Sequence, residues 1–453
     1  MRALTLSEIV RPLEGTLSGE DRGFEAVATD SRRLRGGELF VALRGKNFDG
    51  HGFVTEVADR GACAAVISSR GHYPLPTLRV EDTLTALGRL GALNRRHFRG
   101  DLVAITGSSG KTCVKNMLAS ILEARGSTLA TAGNLNNEIG VPATLLRLGP
   151  EHRYAVVEMG AAAAGDIEYL CSLARPDVSV LLNAMPAHLE GFGTVAGVAR
   201  AKGEILAALD GTGTAVINAD SEYAPLWREL SSGSAVLEFG LSETADVGAS
   251  AVEPLAGGGL RFRLRLPRDT VEVGLRIPGE HNVRNALAAA AAATALGVDA
   301  ETIVRGLRAI RPTAGRMRPH RIASGALVID DSYNANPGSV RAAIDVLAGM
   351  GGRRILVLGA MAELGERSAP LHAAMGAEAR QAGLEALWAT GGDTAAAVAS
   401  FGRGGQLFAD RSELAEALRA RLGPEDTVLV KGSRVAAMDE VVARLLDPAA
   451  EED

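Results

Sequence analysis

An α/β protein of three domains is what this sequence predicts, and three observations lead there. The chain of 453 residues exceeds one ordinary core and suits several domains of about 150 residues each. From Leu102, short apolar runs alternate with helical patterns, which predicts a mostly parallel sheet with helices on both faces. After the proline-bounded "RPTAGRMRP" at 311–319, a candidate hinge, the alternation starts afresh and implies a second such unit. The expected partition is 1–98, 99–312 and 313–453.

Taken in order, the first 98 residues mix short β-rich runs, "LFVAL" and "AAVIS", with glycine turns, and close on a helical pattern from Asp82 to His97. They read as a small α/β N-terminal domain. The central stretch supplies the strands "LVAIT", "YAVVEM", "VSVLLN" and "GTAVIN", with helices after Lys111 and around Ala201. Between Ser231 and Ile277 the runs "LRFRLRL" and "VEVGLRI" alternate strictly, which predicts antiparallel hairpins added to that mostly parallel sheet. A helix begins near His281. The last third supplies "ALVIDD", "RRILVLG", "ALWAT" and "TVLVKG" for a doubly wound, Rossmann-like domain, and the acidic "AAEED" end reads as frayed.

A hydrophobic content of 47%, a charged content of 23% and a net charge of -6 describe an ordinary globular chain without the broad basic field that recruits nucleic acid. The partner is expected to be small. Cys63, Cys113 and Cys171 have no metal-ligand spacing and cannot form a disulfide framework, which fits a reducing cytoplasm. Cys113 reads as a small helix-packing residue. The opening "MRALTLSEIV" lacks a signal peptide's apolar core, and the alanine-rich run 286–295 is too short to cross a bilayer, so no membrane insertion is expected. A cytoplasmic monomer is the expectation.

Chemistry enters at "AITGSSGKTCVKNM", 104–117. A glycine turn between a strand and a helix presents unsatisfied backbone N–H groups at the positive end of the helix dipole, where phosphate binds. Gly107, Ser108, Ser109 and Gly110 would form that cradle, Lys111 would add charge at the terminal phosphates, and Thr112 would offer its hydroxyl to Mg²⁺. The loop is short, because only two residues separate Gly107 from the Gly110-Lys111 pair. Six residues alone also fit a polar strand-to-helix turn.

The segments beyond the loop give it meaning: "TAGNLNNEIGVPATLLRL" at 131–148, "HLEGFG" at 188–193, "AKGEI" at 201–205, "DDSYNANPGSV" at 330–340 and "KGSRVAAMDEVV" at 431–442. With "TDSRRLRGGELFVALRGKNFDGHGF" at 29–53, the order and spacing resemble the Mur ligases of bacterial cell-wall synthesis nearly end to end. These ligases use a short TGxxGKT loop. Within the family the asparagine-rich "GNLNNEIG", the "DDSYNANP" stretch and the absence of Asn-Pro-Arg favour the branch that adds a dipeptide over the branch that adds the third residue.

The resemblance implies an ATP- and Mg²⁺-dependent amide ligase that joins D-alanyl-D-alanine to UDP-N-acetylmuramoyl-tripeptide through an acyl phosphate. The three domains would bind the UDP substrate, ATP and the dipeptide in turn. Glu158 and His188 match the family's magnesium ligands beside Thr112; taken alone, they read equally as a strand-end surface acid and a structural cap. Lys202 matches the lysine that is carbamylated in these enzymes. Asn282 and Asn285 look like the adenine-contacting segment, although Asn282 also suits a helix cap. Arg316 would reach the phosphates from the third domain, and Asp331 would accept from the ribose hydroxyls.

For the dipeptide or the acyl end the resemblance points to Lys431, Ser433 and Arg434, with Asn334 and Asn336, and the asparagine loop adds Asn134, Asn136 and Asn137 as substrate contacts. Thr29, Asp30, Ser31 and Arg32, with Gly45, Phe48, Asp49 and His51, match the uridine-nucleotide motif, although Asp30 and Arg32 also suit a structural ion pair. Three departures stand out: Ala162 and Ala163 replace an asparagine and a histidine common in the family, and Ala360 replaces an aspartate. Two rivals remain, a ligase adding one amino acid and a nucleotide-binding regulator without catalysis.

Overall fold

A computed structural model describes residues 1–45, 48–186, 189–255 and 259–447. Its strands gather into three principal sheets that follow the chain in order. The first has five short strands, ordered Thr16–Ser18, Thr77–Arg79, Ala64–Ile67, Leu39–Val41 and Val27–Ala28; the two aliphatic runs read from the sequence are fully buried inside it. Asp82 caps the helix Thr83–His97 by accepting from the N–H of Thr85 at 2.7 Å. That helix ties the first domain to the central one. Asn94 Nδ2 donates to the carbonyls of Leu145 and Leu148 at 2.8 and 2.9 Å, and the Arg95 guanidinium reaches the carbonyls of Ala174 and Arg175 and the carboxylate of Asp177.

The central sheet has nine strands, and Asp101–Thr106 lies between Val178–Leu181 and Tyr154–Glu158, parallel to both. Three parallel carboxyl ends therefore emerge on one edge, where ligands of open α/β sheets bind. The stretch from Ser231 adds the expected antiparallel hairpins to this sheet: Ala235–Gly240 and then Val247–Pro254 continue it in parallel, and Leu260–Arg265 pairs antiparallel with both Val247–Pro254 and Thr270–Leu275. Continuing the sheet buries one face of the alternating strands, Phe262 and Leu264 included, which a free hairpin would leave in water.

Behind this sheet runs the helix Glu280–Ala295, in which Ala288 to Ala293 are all inaccessible to solvent. Alanine methyls let the helix approach both the sheet and the loop helix Lys111–Glu123. On that helix's other side, Ala300–Ala309 approaches so closely that a Cβ on Gly306 would stand 2.5 Å from the Cα of Ile121. One apolar cluster extends from Val103 and Leu118 through these alanines to Ile344 and Leu358 of the third domain.

The third sheet is ordered Arg318–Arg321, Leu327–Asp331, Asp426–Lys431, Arg353–Gly359, Ala386–Thr390 and Gly405–Phe408, parallel except for its first strand. Two of these strands escape a pattern reading. Gly405–Phe408 is a short edge, and Arg318–Arg321 is charged and holds a proline, which an edge strand tolerates. The hinge candidate thus runs directly into sheet. Among the described residues, no helix is long and apolar enough to cross a membrane.

Candidate functional site

The phosphate loop sits between the strand Asp101–Thr106 and the helix Lys111–Glu123. Gly110, the cap residue of that helix, has φ +85°, and a Cβ there would stand 2.5 Å from Asn285 Oδ1, so both conformation and space call for glycine. No side chain caps the helix, which leaves its first-turn N–H groups pointed at the cleft. Asn183, at the end of the neighbouring strand, clamps the loop: its Oδ1 accepts from the N–H of Ser109 at 3.0 Å and its Nδ2 donates to the carbonyl of Ser109 at 3.1 Å. Sequence reasoning missed Asn183, although a polar residue closing the apolar run "VSVLLN" was the available signal. Lys111 Nζ folds over the loop to the carbonyl of Gly107 at 2.7 Å. Burial, and then the charge of Arg316, lower its pKa, while Glu158 opposes them.

Around this loop lies a cleft of about 1220 Å³ lined by residues of the second and third domains. Thr112 Oγ1 donates to Glu158 Oε2 at 2.8 Å and accepts from Arg316 Nη2 at 2.8 Å, while Asn136 Nδ2 donates to Glu158 Oε1 at 2.8 Å. A hydroxyl and a buried carboxylate, side by side beneath a phosphate loop, are the hard oxygen donors that Mg²⁺ takes together with substrate phosphates. No group of three or more His, Cys, Asp or Glu gathers to hold a metal among the described residues. His188 lies outside the described residues. Asn134 and Asn137 line the same cleft.

Lys202, on the helix Val195–Ala207, is 1% exposed and also lines the cleft. Its Nζ lies 6.0 Å from the centre of the Phe192 ring. Burial, reinforced by the charge of Lys111, lowers its pKa to about 7, so its neutral amine is accessible near neutrality. The backbone N–H groups of Ala162 and Ala163 both donate to Asp166 Oδ2, and Glu204, two residues beyond Lys202, accepts from the N–H groups of Gly165 and Glu168. The departing alanine segment is therefore fixed through its backbone. The carbonyl of Ala360 accepts from both the N–H and the hydroxyl of Ser433.

Asn285 Nδ2 donates to Asn282 Oδ1 at 3.0 Å, and Asn282 Nδ2 to the carbonyl of Pro278 at 2.7 Å. Asn282 is not the helix cap, which is Gly279, because the helix already begins at Glu280 and places Asn282 inside its first turn. His281, missed from the sequence, lines the same wall with its pKa pushed down to about 4 by burial and then by Lys431 and Arg284, so it stays neutral.

From the third domain, Arg316 stacks 4.2 Å from the centre of the Tyr333 ring. Parallel pairing sets Asp331 opposite Lys431, and Lys431 Nζ donates to Asp331 Oδ2 at 2.5 Å and to the carbonyl of Asn334 at 2.9 Å. This corrects two expectations: Lys431 is no free anion partner, since Asp331 neutralises it, and Ser433 is buried, with its hydroxyl turned to Ala360. Arg434 remains at the cleft, paired with Asp439. Asn336 caps the helix Pro337–Ala348 and extends Nδ2 to the carbonyl of Ser108 at 3.4 Å, a second contact between domains. Cys113 is half-buried and faces the cleft, beyond the packing role expected of it.

In the first domain Asp30 caps the turn Ser31–Arg33 and pairs with Arg32, which lowers its pKa to about 2, so the structural ion pair is real. Thr29 precedes that turn. His51 Nδ1 lies 2.5 Å from Asp49 Oδ1, its Nε2 accepts from the N–H of Ser68, and Gly45 N–H donates to the carbonyl of Phe48, whose ring is exposed. None of these described residues lines the cleft, so the motif forms a separate surface.

Three family matches tile the chain: Mur ligase family, catalytic domain, over residues 24–94; Mur ligase middle domain over 105–293; and Mur ligase, glutamate ligase domain, over 315–434. The UDP-N-acetylmuramoyl-tripeptide--D-alanyl-D-alanine ligase of Escherichia coli K12 is 44% identical over 448 residues, covering 98% of this chain and 99% of its own. A crystal structure of MurF from Acinetobacter baumannii superposes with a TM-score of 0.93 at 36% identity, covering 98% and 99% of the two chains. The MurF ligase of Thermotoga maritima in complex with ADP superposes with a TM-score of 0.84 at 29% identity, covering 94% and 98%.

Proposed function

The chain belongs to the Mur ligase family, and from that premise we propose how its residues divide the ATP-driven ligation of D-alanyl-D-alanine to UDP-N-acetylmuramoyl-tripeptide. The product is the UDP-muramoyl-pentapeptide. A carboxylate resists an amine because its oxygen leaves poorly, and ATP supplies a better leaving group. A carboxylate oxygen of the tripeptide attacks the γ-phosphorus, the bond to the bridging oxygen breaks and ADP departs. The dipeptide amine then attacks the acyl carbon, loses a proton, and inorganic phosphate leaves as the amide forms.

The observation that carries this reading is the convergence of Thr112, Glu158, Lys111, Lys202 and Arg316 on one cleft beneath an uncapped helix. Backbone N–H groups and Lys111 hold the phosphates, and Arg316 adds charge from the third domain. Thr112 and Glu158, with His188, would hold Mg²⁺, which when bound suppresses repulsion between the reacting anions. At Lys202 the neutral amine adds to carbon dioxide and releases a proton, leaving an anionic carbamate in the cleft where an ammonium would otherwise stand. Asn282 and Asn285 read the adenine. Residues 1–98 hold the UDP moiety through the 29–51 motif, 99–312 the nucleotide, and 313–453 the dipeptide, with Arg434, exposed at the cleft beside Asp439, offered to its carboxylate. All these groups come from one chain, so a cytoplasmic monomer suffices.

Mass-spectrometric product formation, with ATP and Mg²⁺ in excess, tests the assignment. D-alanyl-D-alanine should be ligated far better than D-alanine, L-lysine or diaminopimelate, each offered with its matching UDP-peptide. A free amino acid that outcompetes the dipeptide would move the chain to another branch, and nucleotide binding without coupled product would leave only a regulator.

A further inference from the structure

We infer that Lys115 is a positioning residue for the metal-facing carboxylate, acting through Thr131 on Glu158 and on the asparagine loop. This rests on the reading of Glu158 as a magnesium ligand. Lys115 lies one turn beyond Lys111 on the same helix, yet it points away from the phosphates: it is 4% exposed and is absent from the lining of the cleft. Its Nζ donates to the carbonyl of Thr131 at 2.7 Å.

Thr131, itself 2% exposed, closes the short edge strand Thr128–Ala130, and its Oγ1 accepts from the backbone N–H of Glu158 at 3.0 Å. From Thr131 the chain runs on to Asn136, whose side chain reaches Glu158 Oε1 and whose carbonyl accepts from the N–H of Gly160 at 2.7 Å. Glu158 is thus gripped at its backbone by Thr131 and at its carboxylate by Asn136, and Lys115 pins the root of the segment that carries both.

Packing alone does not explain the lysine, because methionine would fill a similar space without burying an ammonium. Burial pulls the Lys115 pKa down, and the charge of Glu158 pulls the other way, so the buried ammonium is supported by the carboxylate whose backbone it helps to place.

The test compares Lys115→Met, Thr131→Val and Glu158→Gln. Mn²⁺ binding in the presence of ADP, followed by electron paramagnetic resonance, is read beside the Mg²⁺ activation constant of the full reaction. Lys115→Met and Thr131→Val should each weaken Mn²⁺ binding roughly tenfold or more and raise the Mg²⁺ constant in step, as loss of groups that orient metal ligands does. At saturating Mg²⁺ both should keep kcat within about threefold of the parent, since the effect is on placement. A variant that melts like the parent and binds Mn²⁺ as tightly overturns the inference. Where Lys115→Met does not fold, Thr131→Val decides, because it keeps the lysine and its carbonyl partner. If Glu158→Gln also binds Mn²⁺ normally, the metal reading itself falls; if it alone loses binding, only the positioning role does.

Discussion

Replacing Lys111 with alanine removes the ammonium that folds over the phosphate loop, and turnover is expected to vanish while the melting transition barely moves. The charge acts where negative charge is transferred, so its loss costs on the order of several kcal/mol of transition-state stabilisation. Because burial already disfavours the cation, the fold loses little. Near-normal kcat at saturating ATP would remove the loop from the mechanism. Lys202 carries a prediction in pH. With its pKa lowered to about 7, the reactive amine emerges as pH rises through that value, and the carbamylated fraction at fixed dissolved carbon dioxide should climb across it. Carbon-13 NMR with labelled carbon dioxide reads that fraction directly. Lys202→Ala should lose activity and regain part of it with added short-chain carboxylic acids, and an unmodified Lys202 in a fully active enzyme would count against the role. These residues were legible because loop and lysine stand in recognisable local strings. The neutralisation of Lys431 was not, since its partner Asp331 lies 100 residues away and meets it only through strand register.

At the scale of the element, the helix Thr83–His97 was legible from its helical pattern, but its docking was not. Nothing in "TLTALGRLGALNRRH" announces that Asn94 will span two carbonyls of the central domain. Asn94→Ala should strand those acceptors in a buried interface and destabilise the chain by about 1–3 kcal/mol. Denaturant unfolding measures it, and an unchanged midpoint would mean that the contact is dispensable. The apolar strands of the two large sheets were likewise legible, whereas Arg318–Arg321 and Thr128–Ala130 were too charged or too short for a pattern to declare. Thr131 and Lys115 escaped for the same reason, since their meaning depends on where that short edge strand ends.

For the whole molecule, the order of motifs disclosed which domains exist, and the fold adds how they touch. Arg316 spans 204 residues of sequence to reach Thr112, braced on Tyr333. Arg316→Ala should raise the KM for ATP by about tenfold or more, in keeping with about 1.5–3 kcal/mol for a hydrogen bond to a charged group. Tyr333→Leu should do less, having lost only the ring beneath the cation. Steady-state kinetics with calorimetric ADP binding separates the two, and equal KM values in parent and Arg316→Ala would place the arginine outside the nucleotide site. The alanine helix carries one more consequence. From Ala288 to Ala293 no methyl meets solvent, and any larger side chain there would press on the sheet or the loop helix at a cost of typically about 1–3 kcal/mol. An inhibitor resting against the Asn282 and Asn285 end of that helix would lean on a wall that mutation cannot thicken from behind, so resistance by steric obstruction would have to arise elsewhere in the cleft.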